Sequence, residues 1–173
     1  MMINIQAHHE ACKFVDEVYG VKIPAQADIT IASCGGYPKD INVYQMQKTM
    51  DNAVLATKQS GVVILLAECE EGSGSKVLEE TCRTLKTADA IEAKLRERFL
   101  IGANKAYAIT RLTKKAHFIL VTGLDRQLAK DMLFDGAVDT VEEALALAKK
   151  YVGDDPSYIL MPTGSLTVPL YRA

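Results

Sequence analysis

The sequence predicts an α/β domain, a doubly wound and mostly parallel sheet of four to five strands with helices on both faces. Three observations carry this. Short β-rich runs alternate with helical patterns from end to end, the signature of crossover connections between parallel strands. Val62-Val63-Ile64-Leu65-Leu66-Ala67 is continuously apolar, as in a strand covered on both faces. The 173 residues suit one domain, 1–173, which at this size buries roughly 70% of its unfolded surface.

The elements follow in order. Ala7, Ala11, Phe14, Val15 and Val18 recur at helical spacing over 6–19, and Gly20 closes the run. Val21-Lys22-Ile23-Pro24 leads into a strand, Ile29-Thr30-Ile31-Ala32, which Gly35-Gly36-Tyr37-Pro38 ends. A long helix is expected from about Asp40 to Lys58, stopped by Gly61 before the apolar strand 62–67. Glu70-Glu71-Gly72-Ser73-Gly74-Ser75 is a loop, and helical patterns cover 76–86, 88–98 and 103–113. His117–Val121 is a third strand and 125–132 a short helix. Asp139-Thr140 opens another helix, with Glu142 and Glu143 in its first turn and Lys149 and Lys150 in its last, the polarity that suits the helix dipole. Tyr158-Ile159-Leu160-Met161 is a fourth strand, and 166–170 is extended.

Composition narrows the function classes. Hydrophobic residues make up 49% and charged residues 24%, with a net charge of −2, so disorder and electrostatic capture of nucleic acid or anionic membrane are not expected. No apolar run approaches the roughly 18 residues of a membrane span. The start lacks a basic region followed by an apolar one, so no secretion signal is read, and a cytoplasmic location is expected. Cys12, Cys34, Cys69 and Cys82 are widely and irregularly spaced. Buried free thiols are expected of them, and no metal site. No P-loop, G-x-G-x-x-G or G-x-S-x-G pattern occurs. His8 and His9 are adjacent and point to different faces, which suits solvated or capping roles, and His117 at a strand start should be partly buried.

The most informative stretch runs from Ser33 to Lys48. It links a strand to a helix, and open α/β sheets bind ligands off the carboxyl ends of their strands. Gly35 and Gly36 allow backbone N–H groups to approach an anion, and the following helix start favours negative charge; a tight turn without any ligand fits the same pattern. On the helix, Val43, Met46, Met50, Ala53, Val54 and Thr57 form a stripe that should pack on the sheet. Ile41, Gln45, Lys48 and Asn52 fall on the opposite side. Gln45 and Lys48 are three apart and so neighbours. Such a face is either solvated or turned toward a second domain and its ligand, where lysine offers a point charge and glutamine an amide.

These residues resemble a known family. Tyr19-Gly20-Val21-Lys22-Ile23-Pro24, Ala27-Asp28-Ile29, Gly35-Gly36-Tyr37-Pro38-Lys39-Asp40-Ile41-Asn42, Tyr44-Gln45-x-x-Lys48 and Ala67-Glu68-Cys69-Glu70-Glu71-Gly72 look like the carboxyl-terminal half of the nickel-dependent lactate racemases. Asn104-Lys105-Ala106-Tyr107 and Pro162-x-Gly164 are weaker echoes. The resemblance implies two α/β domains with the active site in the cleft between them. It implies a nickel-pincer nucleotide that takes a hydride from the α-carbon of a small 2-hydroxy acid and returns it to either face. The lysine tether, the metal ligand, the acid–base histidines and a substrate-binding arginine would all belong to an amino-terminal catalytic domain. This chain would then hold no catalytic residue and no metal ligand, bind no cofactor alone and be inactive alone. By resemblance, Lys48 helps neutralise the substrate carboxylate or a polar cofactor edge and Gln45 hydrogen-bonds nearby, with Gly35, Gly36 and Tyr37 beside them. Many relatives carry a histidine where Asn104 stands and another near Thr163, and some a tryptophan near 104–106, so the identity of the 2-hydroxy acid stays open. A rival reading is a freestanding anion- or small-ligand-binding module without catalysis.

Overall fold

In a computed structural model, residues 5–171 are described. Five strands form one parallel sheet: β2 (Ala27–Ser33), β3 (Thr57–Leu66), β4 (His117–Val121), β5 (Gly136–Val138) and β6 (Tyr158–Met161), in the order β5-β4-β3-β2-β6. A separate parallel pair joins β1 (Gly20–Lys22) to β7 (Val168–Leu170). The doubly wound α/β class is therefore what the chain adopts, with five strands in the main sheet. The fifth, β5, escapes sequence reading because it is three residues long and contains a glycine.

The helices cover the two faces unequally. α2 (Val43–Ala56), α3 (Lys76–Leu85), α4 (Ala88–Glu97), α5 (Ala103–Thr113) and α6 (Arg126–Asp131) lie on one side, and α7 (Val141–Val152) covers the other. β3 shows how this works locally. Val63 and Leu65 point into the larger core with Met46, Met50 and Ile109, while Val62 and Ile64 point under α7 with Ala144 and Ala148. Alternation with period two thus buries Val62 to Leu65 on both faces, and each fully buried aliphatic side chain contributes about 1.5–3 kcal/mol. α7 is closed by a capping box between Thr140 and Glu143.

Several boundaries differ from the sequence expectation. α2 begins at Val43, not near Asp40, because the carbonyls of Asp40 and Ile41 are taken by Cys69 N and Glu71 N, both at 2.9 Å. It ends at Ala56, and Gly61 is no helix stop. Gly61 lies inside β3, where Ala27 pairs with Thr57 and Ile29 with Val62, so 58–61 form an irregularity in the ladder. A Cβ at Gly61 would stand 2.7 Å from the Asp28 carbonyl, so backbone approach, not helix termination, explains this glycine. The amino-terminal helix is present as α1 (Ile5–Tyr19) and packs beside β1 and β7, yet none of its residues is buried. Phe14, Val15 and Val18 stay exposed. Cys12 on α1 is likewise exposed, against the expectation of four buried thiols; Cys34, Cys69 and Cys82 are buried. No helix among the described residues is long and apolar enough to cross a membrane.

A candidate carboxylate-binding cleft

The strand–helix connection after β2 is held from below. Asn42 caps α2, its Oδ1 accepting from Gln45 N at 3.0 Å, while its Nδ2 donates to Glu71 Oε2 at 3.1 Å. Val43 N and Tyr44 N donate to the carbonyls of Gly72 and Ser73. Gly74 sits against the Asn42 amide at a φ of 73°, and a Cβ there would approach Asn42 Cγ to 2.4 Å. Only glycine suits that contact. The loop 69–74 is thus a bracket that fixes where the first turn of α2 starts and how its side chains point. Asp40 and Asn42, both within the informative stretch, serve this bracket and not the open face.

From the other side, Gly164 closes on α2. Its N–H donates to the Ser33 carbonyl at 2.9 Å and its carbonyl accepts from Asn52 Nδ2 at 2.8 Å. A Cβ at Gly164 would meet Thr49 Cγ2 at 2.8 Å, which accounts for the glycine after Pro162. This contact brings the 162–166 turn over the start of α2. Together they border an open cleft of about 440 Å³ lined by Pro38, Lys39, Ile41, Gln45, Lys48, Ser165 and Leu166.

Gln45 and Lys48 therefore share one cleft, and the Lys48 ammonium donates to Gln45 Oε1 at 2.7 Å. Gly35 adjoins it: a Cβ there would lie 3.7 Å from Lys39 Nζ and 3.8 Å from Ser165 Oγ. Gly36 faces open space, and Tyr37 is 76% exposed; neither lines the cleft. Asn104 accepts from Gly102 N at 2.9 Å and shapes the start of α5. Thr163 bonds Thr167 within the turn.

Two residues of the cleft, Lys39 and Ser165, escape the sequence reading, as does Lys105 outside its lining. Lys39 lies in the informative stretch, but its fold back over Gly35 depends on the turn. Ser165 comes from the far end of the chain, and its Oγ has no hydrogen-bond partner among the described residues. Lys105 on α5 reaches over the Tyr44 ring at 4.8 Å and donates to Gln47 Oε1 at 2.7 Å. Burial, and next the positive charge of Lys48, hold Lys105 below the ordinary lysine range, with Asp51 opposing. The cleft is cationic and rich in donors, so chemically it can hold an anion.

No group of three or more histidine, cysteine or acidic side chains arranged for a metal occurs among the described residues. In the core at the end of β2 the Cys34 thiol is pushed up to about 11 by burial, which keeps it protonated and inert. His8 and His9 lie exposed on α1. His117 is half-buried, bonded to Asp135 Oδ1 at 2.9 Å and stacked on Tyr151, where it pins the start of β4.

Comparison with known proteins agrees with this architecture. Residues 22–168 match the lactate racemase C-terminal domain family. The lactate racemase of Thermoanaerobacterium thermosaccharolyticum is 33% identical over 164 residues, 92% of this chain and 38% of its own length. That of Lactiplantibacillus plantarum is 30% identical over 164 residues, covering 91% and 38%. The solved lactate racemase apoprotein of T. thermosaccharolyticum superposes with a TM-score of 0.85 at 30% identity, over 95% of this chain and 40% of that one. A Thermotoga maritima protein shares the fold alone, at a TM-score of 0.64 and 13% identity. The chain thus spans 38% of the length of the curated relatives it matches, and with the family matching most of its residues, the chain belongs to the lactate racemase C-terminal domain family.

Proposed function

We propose that this domain forms one wall of the active site of a 2-hydroxy acid racemase or epimerase, where Lys48 and Gln45 bind the substrate carboxylate. The observation that carries the reading is the placement of these two tips. They touch each other, they lie beside an open cleft off the carboxyl edge of the sheet, and the Lys48 ammonium is held by the Gln45 amide oxygen and by no carboxylate among the described residues. An ammonium held by a neutral amide keeps its charge for an incoming anion, and the amide N–H₂ of Gln45 stays available as a second donor.

The exposed apolar stripe of α1 supports the same reading. Phe14, Val15 and Val18 form a helix face that no described residue covers, as expected of a surface that meets an amino-terminal catalytic domain. The relatives' greater length leaves room for one.

The donors in the cleft fit a carboxylate or a polar cofactor edge, and the described residues offer no ligand set for nickel. On this reading the metal ligand and the lysine tether belong to the partner domain. When bound, the nickel-pincer nucleotide supplies reversible hydride acceptance at the α-carbon. The part of this chain is to orient the acid, neutralise its charge and exclude water as the two domains close. The test is nickel analysis of the complete protein together with a racemisation screen over 2-hydroxy acids. Nickel bound in stoichiometric amount and interconversion of one acid's enantiomers are expected; a complete protein that racemises none of them would overturn the proposal.

A further inference from the structure

We propose that the cleft continues past Lys48 into an apolar half that takes the side chain of the substrate, so that the protein favours 2-hydroxy acids with a branched or aromatic side chain over lactate. The inference rests on the carboxylate role given to Lys48 above and adds the class of substrate. A second open space of about 460 Å³ adjoins the first, between α1, α2 and β7. The two share Lys48, Ser165 and Leu166 in their linings. An acid held at Lys48 by its carboxylate therefore stands at the junction of the two.

The halves differ in chemistry. The first holds Lys39 and the Gln45 amide. In the second the polar side chains other than those shared are already engaged. Asn52 donates its amide to the Gly164 carbonyl at 2.8 Å, and Asp51 accepts from the Gln47 amide and pairs with Arg111 at 3.5 Å. What this half adds is apolar: Val15 and Tyr19 from α1, Leu166, and Val168 from β7. Val15, Tyr19 and Leu166 are exposed, so an apolar group laid against them removes surface from water on both sides. A second carboxylate would instead meet Asp51, a like charge. Val15 also belongs to the exposed stripe of α1, so a partner domain seated on that stripe roofs this half and completes the burial of an apolar tail.

Steady-state kinetics of the complete, cofactor-loaded protein with lactate, 2-hydroxy-4-methylpentanoate and 2-hydroxybutanedioate test the proposal. The branched acid should show a kcat/KM about tenfold above that of lactate, and the diacid should fall below the branched acid. Leu166→Asn puts a polar wall at the junction and should bring the branched acid and lactate to within about twofold of each other. Leu166→Met should keep the preference, and Tyr19→Ala should weaken it. Equal kcat/KM for lactate and the branched acid, a preference for the diacid, or a branched-acid preference that survives both Leu166→Asn and Tyr19→Ala overturns the apolar half. Lys48→Ala separates the two claims. If it lowers turnover of both monoacids while their ratio survives both wall variants, only the apolar half fails. If it lowers neither, or if the wild type turns over no 2-hydroxy acid, the carboxylate role fails as well.

Discussion

The Lys48 ammonium donates to Gln45 Oε1 at 2.7 Å on the open face of α2. The bond runs between residues three apart on a helix whose opposite face is buried in the sheet, so the pair is set by α2 alone and needs no partner to form. It is therefore already formed in the empty domain. If Lys48 binds a substrate carboxylate as proposed, Lys48→Ala in the complete protein should lower kcat/KM for a 2-hydroxy acid at least about tenfold, roughly 1.4 kcal/mol of transition-state stabilisation. The melting temperature should hardly change, because Lys48 is exposed. Wild-type turnover in a fully cofactor-loaded variant would remove Lys48 from the site.

The bracket beneath this pair makes a separate prediction about stability. Asn42→Ala removes both the cap of α2 and the tie to Glu71, and should cost about 1–2 kcal/mol. Gly74→Ala forces a side chain onto the Asn42 amide at a positive φ, at a cost of about 1–3 kcal/mol. In the double variant the steric conflict is gone, so the two costs should fall short of additivity by about 0.5 kcal/mol or more. Urea unfolding of the four proteins checks this, and simple additivity would mean that Asn42 and Gly74 do not act together.

Much of this was legible in the sequence, for identifiable reasons. The stripe Val43, Met46, Met50, Ala53, Val54 and Thr57 is buried throughout, because helical periodicity reports directly on which face meets a core. Gln45 and Lys48 fell on the other face by the same arithmetic. The ends of α2 were not legible. Its start depends on a loop thirty residues away, and its stop on a ladder irregularity that only sheet pairing reveals. Gly35, Gly36 and Tyr37 look alike as turn residues, yet only Gly35 adjoins the cleft, since the turn carries the other two into solvent. Ser165 and Lys105 come from distant segments, and no local pattern marks a residue that arrives by tertiary packing.

The four cysteines should differ sharply in reactivity. Burial pushes the Cys34 thiol up to about 11 and those of Cys69 and Cys82 up to about 12, so each is protonated and shielded at neutral pH. Cys12 lies exposed on α1. A chromogenic disulfide reagent at pH 8 should titrate one thiol in the folded chain and all four in denaturant. Cys12→Ser should abolish the fast phase. Rapid labelling of Cys34 in the native state would show that the core around the end of β2 opens far more readily than its packing implies.

Asp28 ties the edge strand to the sheet and sets an acid limb to stability. Its carboxylate accepts from Ser157 Oγ at 2.6 Å, from Ser157 N at 2.9 Å and from Lys58 Nζ at 2.9 Å. The Ser157 hydroxyl first, then Lys58 and the Ser157 N–H, hold this carboxyl well below the usual carboxylate range. With the folded value depressed, the unfolded chain binds the proton more readily. The stabilisation is therefore complete above the unfolded value of about 3.9 and is lost as pH falls from there toward the folded value. The side chain is partly exposed, so salt should weaken the Lys58 contribution more than that of the Ser157 hydroxyl. Asp28→Asn should lower stability at pH 7 and flatten its decline between about pH 4 and pH 2. Ser157→Ala should raise the folded value, so that the decline starts at the same pH but ends sooner and is smaller, by removing the strongest of the three bonds. Denaturant unfolding across that range decides the matter: an unchanged acid slope in Asp28→Asn would place the titrating group elsewhere.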